Sequence, residues 1–182
     1  MKQPASLLLG PVPTALITCG NSVEQNIITL AWVGVVNSSP PMISASVRPN
    51  RHSCHLIQET GEFTVNIPYS DQVSLVDGCG TLSGKDLNKF EHFRLTPILG
   101  TLQYAPLIDE CPISMECKVE HTLRLGSHFV FIGRVVASYI STDITDEKGK
   151  IDFNRCRLLG FCDGRYLETA PLNHPIGFTI KK

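Results

Sequence analysis

The strongest constraint in the sequence is a pair of long β-type segments joined by a very short turn. In residues 113–120 apolar and polar side chains alternate strictly, which predicts a strand with one face in the core and the other in water. Gly126 and Ser127 then turn the chain, and residues 128–140 predict a second long strand that is mostly apolar on both faces. Two long strands joined by so short a turn are expected to form an antiparallel hairpin.

Shorter β-type segments fill the first half of the chain. The predicted strands there cover residues 14–19, 26–36, 42–47 and 63–67. The run 26–36 is nearly all apolar, as in a strand that is buried on both faces. Because strands outnumber helices and no regular β-α-β alternation occurs, we expect a mainly β fold. The favoured architecture is a closed or half-open antiparallel barrel with a few short covering helices.

The predicted helices occur singly between the strands. One covers residues 54–60, where Asn50 or Ser53 is a suitable N-cap and Gly61 a suitable C-cap. A shorter helix is predicted over residues 70–76. A chain of 182 residues suits one domain, so a single domain spanning 1–182 is expected.

Composition narrows the class of protein. Sixteen Lys and Arg residues against 17 Asp and Glu give a net charge of −1, whereas nucleic-acid binders carry a basic excess. The longest apolar run, residues 27–36, is far shorter than the ~20 residues of a membrane span, and residues 1–10 are too weakly apolar for a secretory signal. Seven cysteines without C-x-x-C spacing indicate reduced thiols. We therefore expect a cytoplasmic protein with no nucleic-acid or membrane partner.

Residues 48–53 gather cationic and hydroxyl side chains where a predicted strand ends and a predicted helix begins. Arg48, Arg51, His52 and Ser53 lie in this segment. A helix N-terminus offers free N–H groups and a partial positive charge, so the combination favours a phosphate or carboxylate site. A solvated basic turn with a serine cap is the more common outcome for such a segment.

The glycine-rich stretch 78–85 matches neither of the nucleotide-binding patterns. Cys79 stands where a P-loop requires glycine, and Ser83 stands where the dinucleotide pattern G-x-G-x-x-G requires its last glycine. An ordinary surface loop is the favoured interpretation. Lys85 and Lys89 share one face if the turn between them is helical, and such a face is usually solvated. The His and Cys spacings contain no metal-binding pattern, so no metal site is expected.

Trp32, the only tryptophan, lies within the apolar run. A tryptophan in such a strand is most often a core residue. The alternative is a wall for a flat aromatic ligand, with the small Ala31 letting that ligand approach the backbone.

Several segments, taken in order, are similar to those of one known family. They are residues 13–18, 26–32, 39–47, 51–53, 61–66, 79–85 with 89–90, and 131–135. The chain resembles the flavin reductase-like proteins, which include the flavoredoxins, over about residues 10–140; the C-terminal segment fits more loosely. The resemblance implies an FMN-binding split β-barrel with Greek-key-like connections, and a homodimer that holds one flavin per subunit near its interface.

The resemblance also assigns candidate site residues. Those that fall on the strand lining the flavin ring are Thr29, Leu30, Ala31 and Trp32. Those on the next flavin-contacting strand are Ser46, Val47 and Arg48. Those at the phosphate end are Arg51, His52 and Ser53. Those on or near the glycine-rich loop are Ser83, Gly84, Lys85 and Lys89. His128 corresponds to a histidine on the nicotinamide side and is the candidate catalytic residue, although Ser127 stands where many relatives carry Asp.

The implied activity is that of an FMN-dependent oxidoreductase. NAD(P)H, a transient substrate, would pass hydride to the bound flavin (FMN, with FAD also possible), and the electrons would go on to a flavin, a redox partner protein or a small-molecule acceptor. One alternative is a flavoredoxin-like electron carrier with little NAD(P)H activity of its own. Another is a barrel that binds no flavin and serves as an interaction module.

Overall fold

The structure is a computed structural model that describes residues 1–2, 4–172 and 174–180. Its strands are β1 (Val12–Pro13), β2 (Ala15–Gly20), β3 (Gln25–Leu30), β4 (Val33–Ser38), β5 (Pro41–Val47), β6 (Glu62–Ile67), β7 (Pro97–Ile98), β8 (Leu107–Ile108), β9 (Ile113–Leu125), β10 (His128–Ile140), β11 (Leu159–Cys162) and β12 (Arg165–Glu168). Its helices are α1 (His52–Thr60), α2 (Val73–Thr81) and α3 (Lys89–Phe93), with short 3₁₀ turns at Ser70–Gln72 and Thr142–Ile144.

The main sheet curls into a barrel that is split along one seam. Seven antiparallel strands follow the order β3-β2-β6-β9-β10-β5-β4, so β3 and β4 lie at opposite edges. Only Ala31 and Trp32 separate these two strands along the chain. Because the three residue steps from Leu30 to Val33 span at most about 11 Å, the two edges approach each other at this point. The expected mainly β fold is confirmed, with 42% strand and 16% helix, and β1-β11-β12 form a second, small sheet.

The prediction of one doubly buried strand over residues 26–36 is wrong. The chain leaves one edge of the sheet at Leu30 and enters the other at Val33. Val35, in β4, is 81% exposed in the single chain. A run of apolar residues reports hydrophobicity but cannot show that a sheet edge falls within it. The break at residues 31–32 is what places Trp32 at the seam.

The predicted hairpin is confirmed, but the prediction that the polar face of its first strand is exposed to solvent is wrong in part. Gly126 takes a positive φ of 47° in the two-residue turn between β9 and β10. Glu116 is fully buried although it lies on the polar face of β9. Its carboxylate accepts hydrogen bonds from the Thr101 and Leu102 backbone N–H groups, each at 2.9 Å, and from the Tyr139 hydroxyl. The loop before β8 therefore covers this face, which the alternation of residue types could not reveal.

The helices follow the predicted positions with different ends. Gly61 ends α1 with a φ of 68°, as expected, but the predicted capping by Asn50 or Ser53 is wrong because Arg51 occupies the N-cap without a side-chain bond. The predicted helix over 70–76 continues as α2 to Thr81. Gly78 lies in this extension, and a Cβ there would lie 2.3 Å from the Phe93 ring. Glycine at this position therefore lets α2 pack against Phe93 of α3. No helix among the described residues is long and apolar enough to cross a membrane.

Two apolar clusters hold these layers together. One fills the space between the sheet and α1 and includes Phe63, Phe131 and Val47. The other lies under α2 and α3 and includes Leu16 and Ile27. The second cluster fixes both helices against β3, the strand that forms one edge of the seam.

Candidate functional site

Nearly all of the predicted site residues line two adjoining clefts along β3. The first, here called the aromatic cleft, has a volume of about 340 Å³. The second, the basic cleft, has a volume of about 100 Å³. Ile28, Arg51 and Gly80 line both, so the two clefts are continuous. A flat ring system with a charged tail suits such a pair of compartments better than a compact ligand does.

The aromatic cleft lies at the split of the barrel. The predicted residues that line it are Thr29, Leu30, Ala31, Trp32, Ser46, Arg48 and His128, with Arg51 at the junction. Trp32 is 43% exposed and lines the cleft, so of the two interpretations of this residue the core one is wrong. Its carbonyl accepts a hydrogen bond of 3.0 Å from the Ser46 N–H, which fixes the backbone where the sheet edges meet.

His128 packs against Trp32 at the mouth of the aromatic cleft. The two ring centroids lie 4.6 Å apart with planes inclined by 39°. The Ser127 Oγ lies 2.8 Å from His128 Nδ1. Burial, and after it the nearby Arg48 guanidinium, lowers the pKa of His128. The imidazole is therefore neutral at neutral pH and presents one N–H donor and one acceptor.

The outer edge of β3 supplies main-chain groups to the clefts. The Lys89 ammonium bonds the Ile27 carbonyl, which shows that this carbonyl points away from β2. By the two-residue period of a strand, the main-chain groups of Thr29 point the same way. The Thr29 hydroxyl itself donates to the Val76 carbonyl and so ties β3 to α2. The Thr29 hydroxyl is thus occupied by this hydrogen bond. Its main-chain N–H and C=O groups are the ones that remain available to a ligand.

The basic cleft carries positive charge that no carboxylate of the described residues neutralises. The predicted residues that line it are Arg51, His52, Ser53, Ser83, Gly84, Lys85 and Lys89. Lys89 is only 3% exposed, and its Nζ donates to the carbonyls of Ile27 and Cys79, each at 2.7 Å. Among the described residues no carboxylate lies within 4 Å of Lys89, Arg51 or Lys85. Of the basic side chains that line this cleft, only His52 pairs with a described carboxylate, that of Glu24 at 2.8 Å.

Burial without a counter-ion lowers the pKa of Lys89. The thiol groups of Cys79 and Cys19 oppose this shift, and the Arg51 guanidinium adds to it. A buried charge is costly unless it is paired. An anion in the basic cleft would supply the missing pairing. The donor set therefore fits a phosphate group, which combines negative charge with several acceptor oxygens.

The family of the chain follows from its sequence match and agrees with this geometry. Residues 9–170 match the model of the flavin reductase like domain. The chain belongs to the flavin reductase-like family. Flavoredoxin of Desulfovibrio vulgaris (Miyazaki F) is 28% identical, with a TM-score of 0.89 over 97% of this chain and 98% of that one. Flavoredoxin from Methanosarcina acetivorans is 30% identical, with a TM-score of 0.88 over 98% of this chain and 96% of that one.

A relative with a stated activity is more distant. The NADH-dependent FMN reductase AsuE2 of Streptomyces nodosus subsp. asukaensis is 27% identical over 129 residues, which are 70% of this chain and 69% of the relative. The expected family and its split-barrel fold are thus confirmed. The roles of individual residues stay predictions.

Val47 and the lysine pair differ from the rest of the predicted set. Val47 is fully buried in the core and lines neither cleft with its side chain, because alternate residues of β5 face opposite sides of the sheet. Lys85 and Lys89 do not share a helical face. Lys85 lies in the turn before α3, whereas Lys89 is its first residue.

Asn26 belongs to the candidate site, although sequence reasoning assigned it no role. It is 3% exposed and lines the basic cleft, and its Nδ2 donates to the Ser53 Oγ at 2.8 Å. A Cβ on Gly84 would lie 2.2 Å from the Asn26 Oδ1, so glycine is required for the loop to close over this amide. The available signal was a polar residue at the start of an apolar run.

Phe161 also lines the aromatic cleft and was not predicted. It belongs to β11 and contacts the Tyr166 ring edge-on at a centroid distance of 5.6 Å. It comes from the C-terminal segment, where the family resemblance is loose, and the pairing of β11 with β1 helps to bring it back to the site.

Proposed function

We propose that this protein is an FMN-dependent oxidoreductase of the flavin reductase type. NAD(P)H would be oxidised to NAD(P)⁺ by transfer of a hydride to the flavin, and the two electrons would pass on to a flavin, a protein or a small-molecule acceptor. The observation that carries the proposal is the unpaired cationic cleft of Lys89, Arg51 and Lys85, continuous with a cleft walled by Trp32. Family membership and the named FMN reductase relative support it.

The chain's own residues account for binding. Lys89, Arg51, Lys85 and the first turn of α1 would hold the phosphate of FMN. The aromatic cleft would receive the ring, with unpaired main-chain groups of β3 as hydrogen-bond partners. When bound, FMN supplies the hydride-accepting and electron-transfer chemistry. The protein contributes orientation, charge neutralisation and exclusion of water from one face.

His128 is suited to orient the electron donor. Its neutral imidazole lies beside Trp32 and keeps one ring nitrogen free of Ser127. A neutral donor or acceptor can bond the carboxamide of a nicotinamide without adding charge beside Arg48. We therefore retain His128 as the candidate catalytic residue.

We also propose that the active form is a homodimer. In β9, residues 119–125 extend beyond the strand pairing with β6. Leu123 and Leu125, two residues apart in this segment, are 46% and 58% exposed. Exposed apolar side chains grouped on one part of a chain are typical of subunit interfaces. A second copy would cover them and close the mouth of the aromatic cleft.

A cytoplasmic location is proposed from the cysteines. All seven are free, and six of them are buried. Free thiols in this number suit a reducing compartment.

Absorbance spectroscopy tests the activity directly. The purified protein is expected to be yellow, or to become so with added FMN, and to lose its visible flavin absorbance within seconds of anaerobic mixing with NADH or NADPH. A protein that binds FMN but keeps its absorbance would favour the electron carrier. That second candidate draws support from the similarity to two flavoredoxins. A protein that binds no flavin would contradict both and favour the interaction module.

A further inference from the structure

One wall of the aromatic cleft comes from outside the main sheet. Among the described residues that line this cleft, Phe161 alone belongs to the small sheet β1-β11-β12. The other lining residues belong to the main sheet, to the connections between its strands, or to α2, which contributes Gly80. The shape of the cleft therefore depends on the C-terminal part of the chain as well as on the barrel.

The direction of the Phe161 side chain follows from its neighbours in β11. Alternate residues of a strand face opposite sides, so Phe161 shares a face with Leu159, whereas Cys162 faces the other way. Leu159 is 5% exposed and belongs to the apolar cluster under α2 and α3. On the opposite face, a Cβ on Gly10 would lie 2.7 Å from the Cys162 Sγ. Phe161 thus extends the apolar cluster beyond its edge and into the aromatic cleft.

The Phe161 ring is held in place before any ligand arrives. Its backbone pairs with β1 on one side and with Tyr166 of β12 on the other. The Tyr166 ring contacts it edge-on, and the Tyr166 hydroxyl donates to the Asp77 Oδ1 at 3.1 Å. Asp77 lies on α2, which Thr29 ties to β3 through the Val76 carbonyl. The small sheet, α2 and β3 form one connected frame, and such a pre-formed wall lowers the ordering cost of binding.

We propose that Phe161 is a binding residue for the flavin ring, against which it forms an apolar wall. The inference rests on the proposed function, in which the ring occupies the aromatic cleft. Trp32 also lines this cleft, but His128 already packs against it at a centroid distance of 4.6 Å. Among the described aromatic side chains, Phe161 contacts only Tyr166, and that contact is edge-on. Phe161 therefore has ring surface left for a flat ligand.

The size and chemistry of this cleft suit contact between Phe161 and a flavin ring. Aromatic rings attract each other in offset or edge-on arrangements at centroid distances of about 4.5–7 Å, beyond the effect of buried area. The cleft volume of about 340 Å³ lies near the lower end of the range for pockets that hold small ligands. A three-ring system placed in so small a space contacts the walls on both sides.

Titration of the flavin-free protein with FMN and with riboflavin, which keeps the ring and lacks the phosphate, tests the inference. Phe161→Ala should weaken both ligands by the same factor, about tenfold, as expected for the loss of one buried aromatic contact. Lys85→Ala, in the basic cleft only, should weaken FMN and leave riboflavin within about twofold. The matched control is Phe153→Ala, at an exposed phenylalanine that lines neither cleft, and it should change neither affinity.

Two further variants separate a ring contact from an effect on folding. Phe161→Leu keeps an apolar side chain on the cluster, so the ligand-free protein should unfold at a temperature close to that of the wild type while both ligands bind about threefold or more weakly. Tyr166→Phe removes the bond to Asp77 and keeps the ring. It should weaken both ligands about twofold and add nothing in combination with Phe161→Ala, because the two residues act as a unit.

The outcomes that contradict the inference differ from those that contradict the proposed function. Unchanged binding of both ligands in Phe161→Ala and Phe161→Leu would overturn the inference and leave the proposed function standing. A loss of FMN affinity without a loss of riboflavin affinity in these variants would do the same. A wild-type protein that binds neither ligand would overturn the proposed function and the inference with it.

Discussion

At the scale of single residues, an unpaired buried ammonium defines the basic cleft. Lys89 bonds two carbonyl oxygens and faces no carboxylate among the described side chains. Such a residue destabilises the ligand-free protein and stabilises the complex with an anion. The residue pattern suggested a solvated lysine pair, and the family resemblance placed Lys89 near the flavin, but neither showed that its ammonium is buried, because that burial depends on its contacts with β3 and α2.

Substitution in the basic cleft should therefore separate binding from stability. Arg51→Ala should weaken FMN by about 1–3 kcal/mol, the scale of a lost charge-assisted hydrogen bond. Lys89→Met should weaken FMN to a similar degree while leaving the ligand-free protein as stable as the wild type or more so. Fluorescence titration with FMN and thermal unfolding of the ligand-free protein measure the two effects.

Lys118→Met is the matched control, since Lys118 is exposed on β9 and lines neither cleft. Unchanged FMN affinity in both cleft variants would count against the phosphate site.

His128 gives a prediction on pH. Burial and the Arg48 guanidinium lower its pKa from 6.5, so the unfolded chain binds this proton at a higher pH than the folded one. The contribution of His128 to stability is therefore present above pH 6.5 and is lost as the pH falls. Arg48→Gln should raise the pKa of His128 in an NMR titration of the imidazole, and Arg155→Gln should not. A wild-type pKa above 6.5 would contradict this account.

At the scale of elements, buried carboxylates fasten the loop before β8 to the barrel. Glu116 holds Thr101 and Leu102, and Glu62 accepts from the Tyr104 N–H at 2.9 Å. These contacts turn the outer face of β9 into an interior surface. The alternation in residues 113–120 identified the strand correctly but assigned this face to water, since the period of a strand says which residues share a face and not what covers it.

Neutralising Glu116 should loosen that loop. Glu116→Gln replaces one acceptor oxygen with an NH₂ group that faces backbone donors, so we expect a loss of about 1–3 kcal/mol in the free energy of unfolding. Glu120→Gln, which removes only an exposed ion pair with Arg134, should cost about 1 kcal/mol or less. Urea unfolding measures both. Equal effects of the two substitutions would show that the loop is not held in this way.

At the scale of the whole molecule, the site lies where the two edges of one sheet meet. The aromatic cleft opens beside the seam between β3 and β4, close to exposed apolar side chains. Continuity of the cleft with this surface is the physical reason to expect that assembly and ligand binding are linked.

The proposed homodimer can be tested by sedimentation. Leu125→Lys places a charge on the exposed end of β9 and should convert a dimer into a monomer, with weaker FMN binding as a result. Leu99→Lys, at a residue that is 62% exposed away from the seam, should leave the assembly unchanged. A wild-type protein that sediments as a monomer at micromolar concentration would refute the dimer.

The sequence by itself determined the local elements and the position of the cationic segment. The long hairpin, α1 with its terminal Gly61, and the cationic segment 48–53 follow from patterns between residues close in the chain. Only the tertiary structure decided that the apolar run 26–36 spans two sheet edges, that Trp32 is exposed, and that Lys89 and Glu116 are buried. Burial depends on which distant segment covers a residue, and residue periodicity carries no information about that.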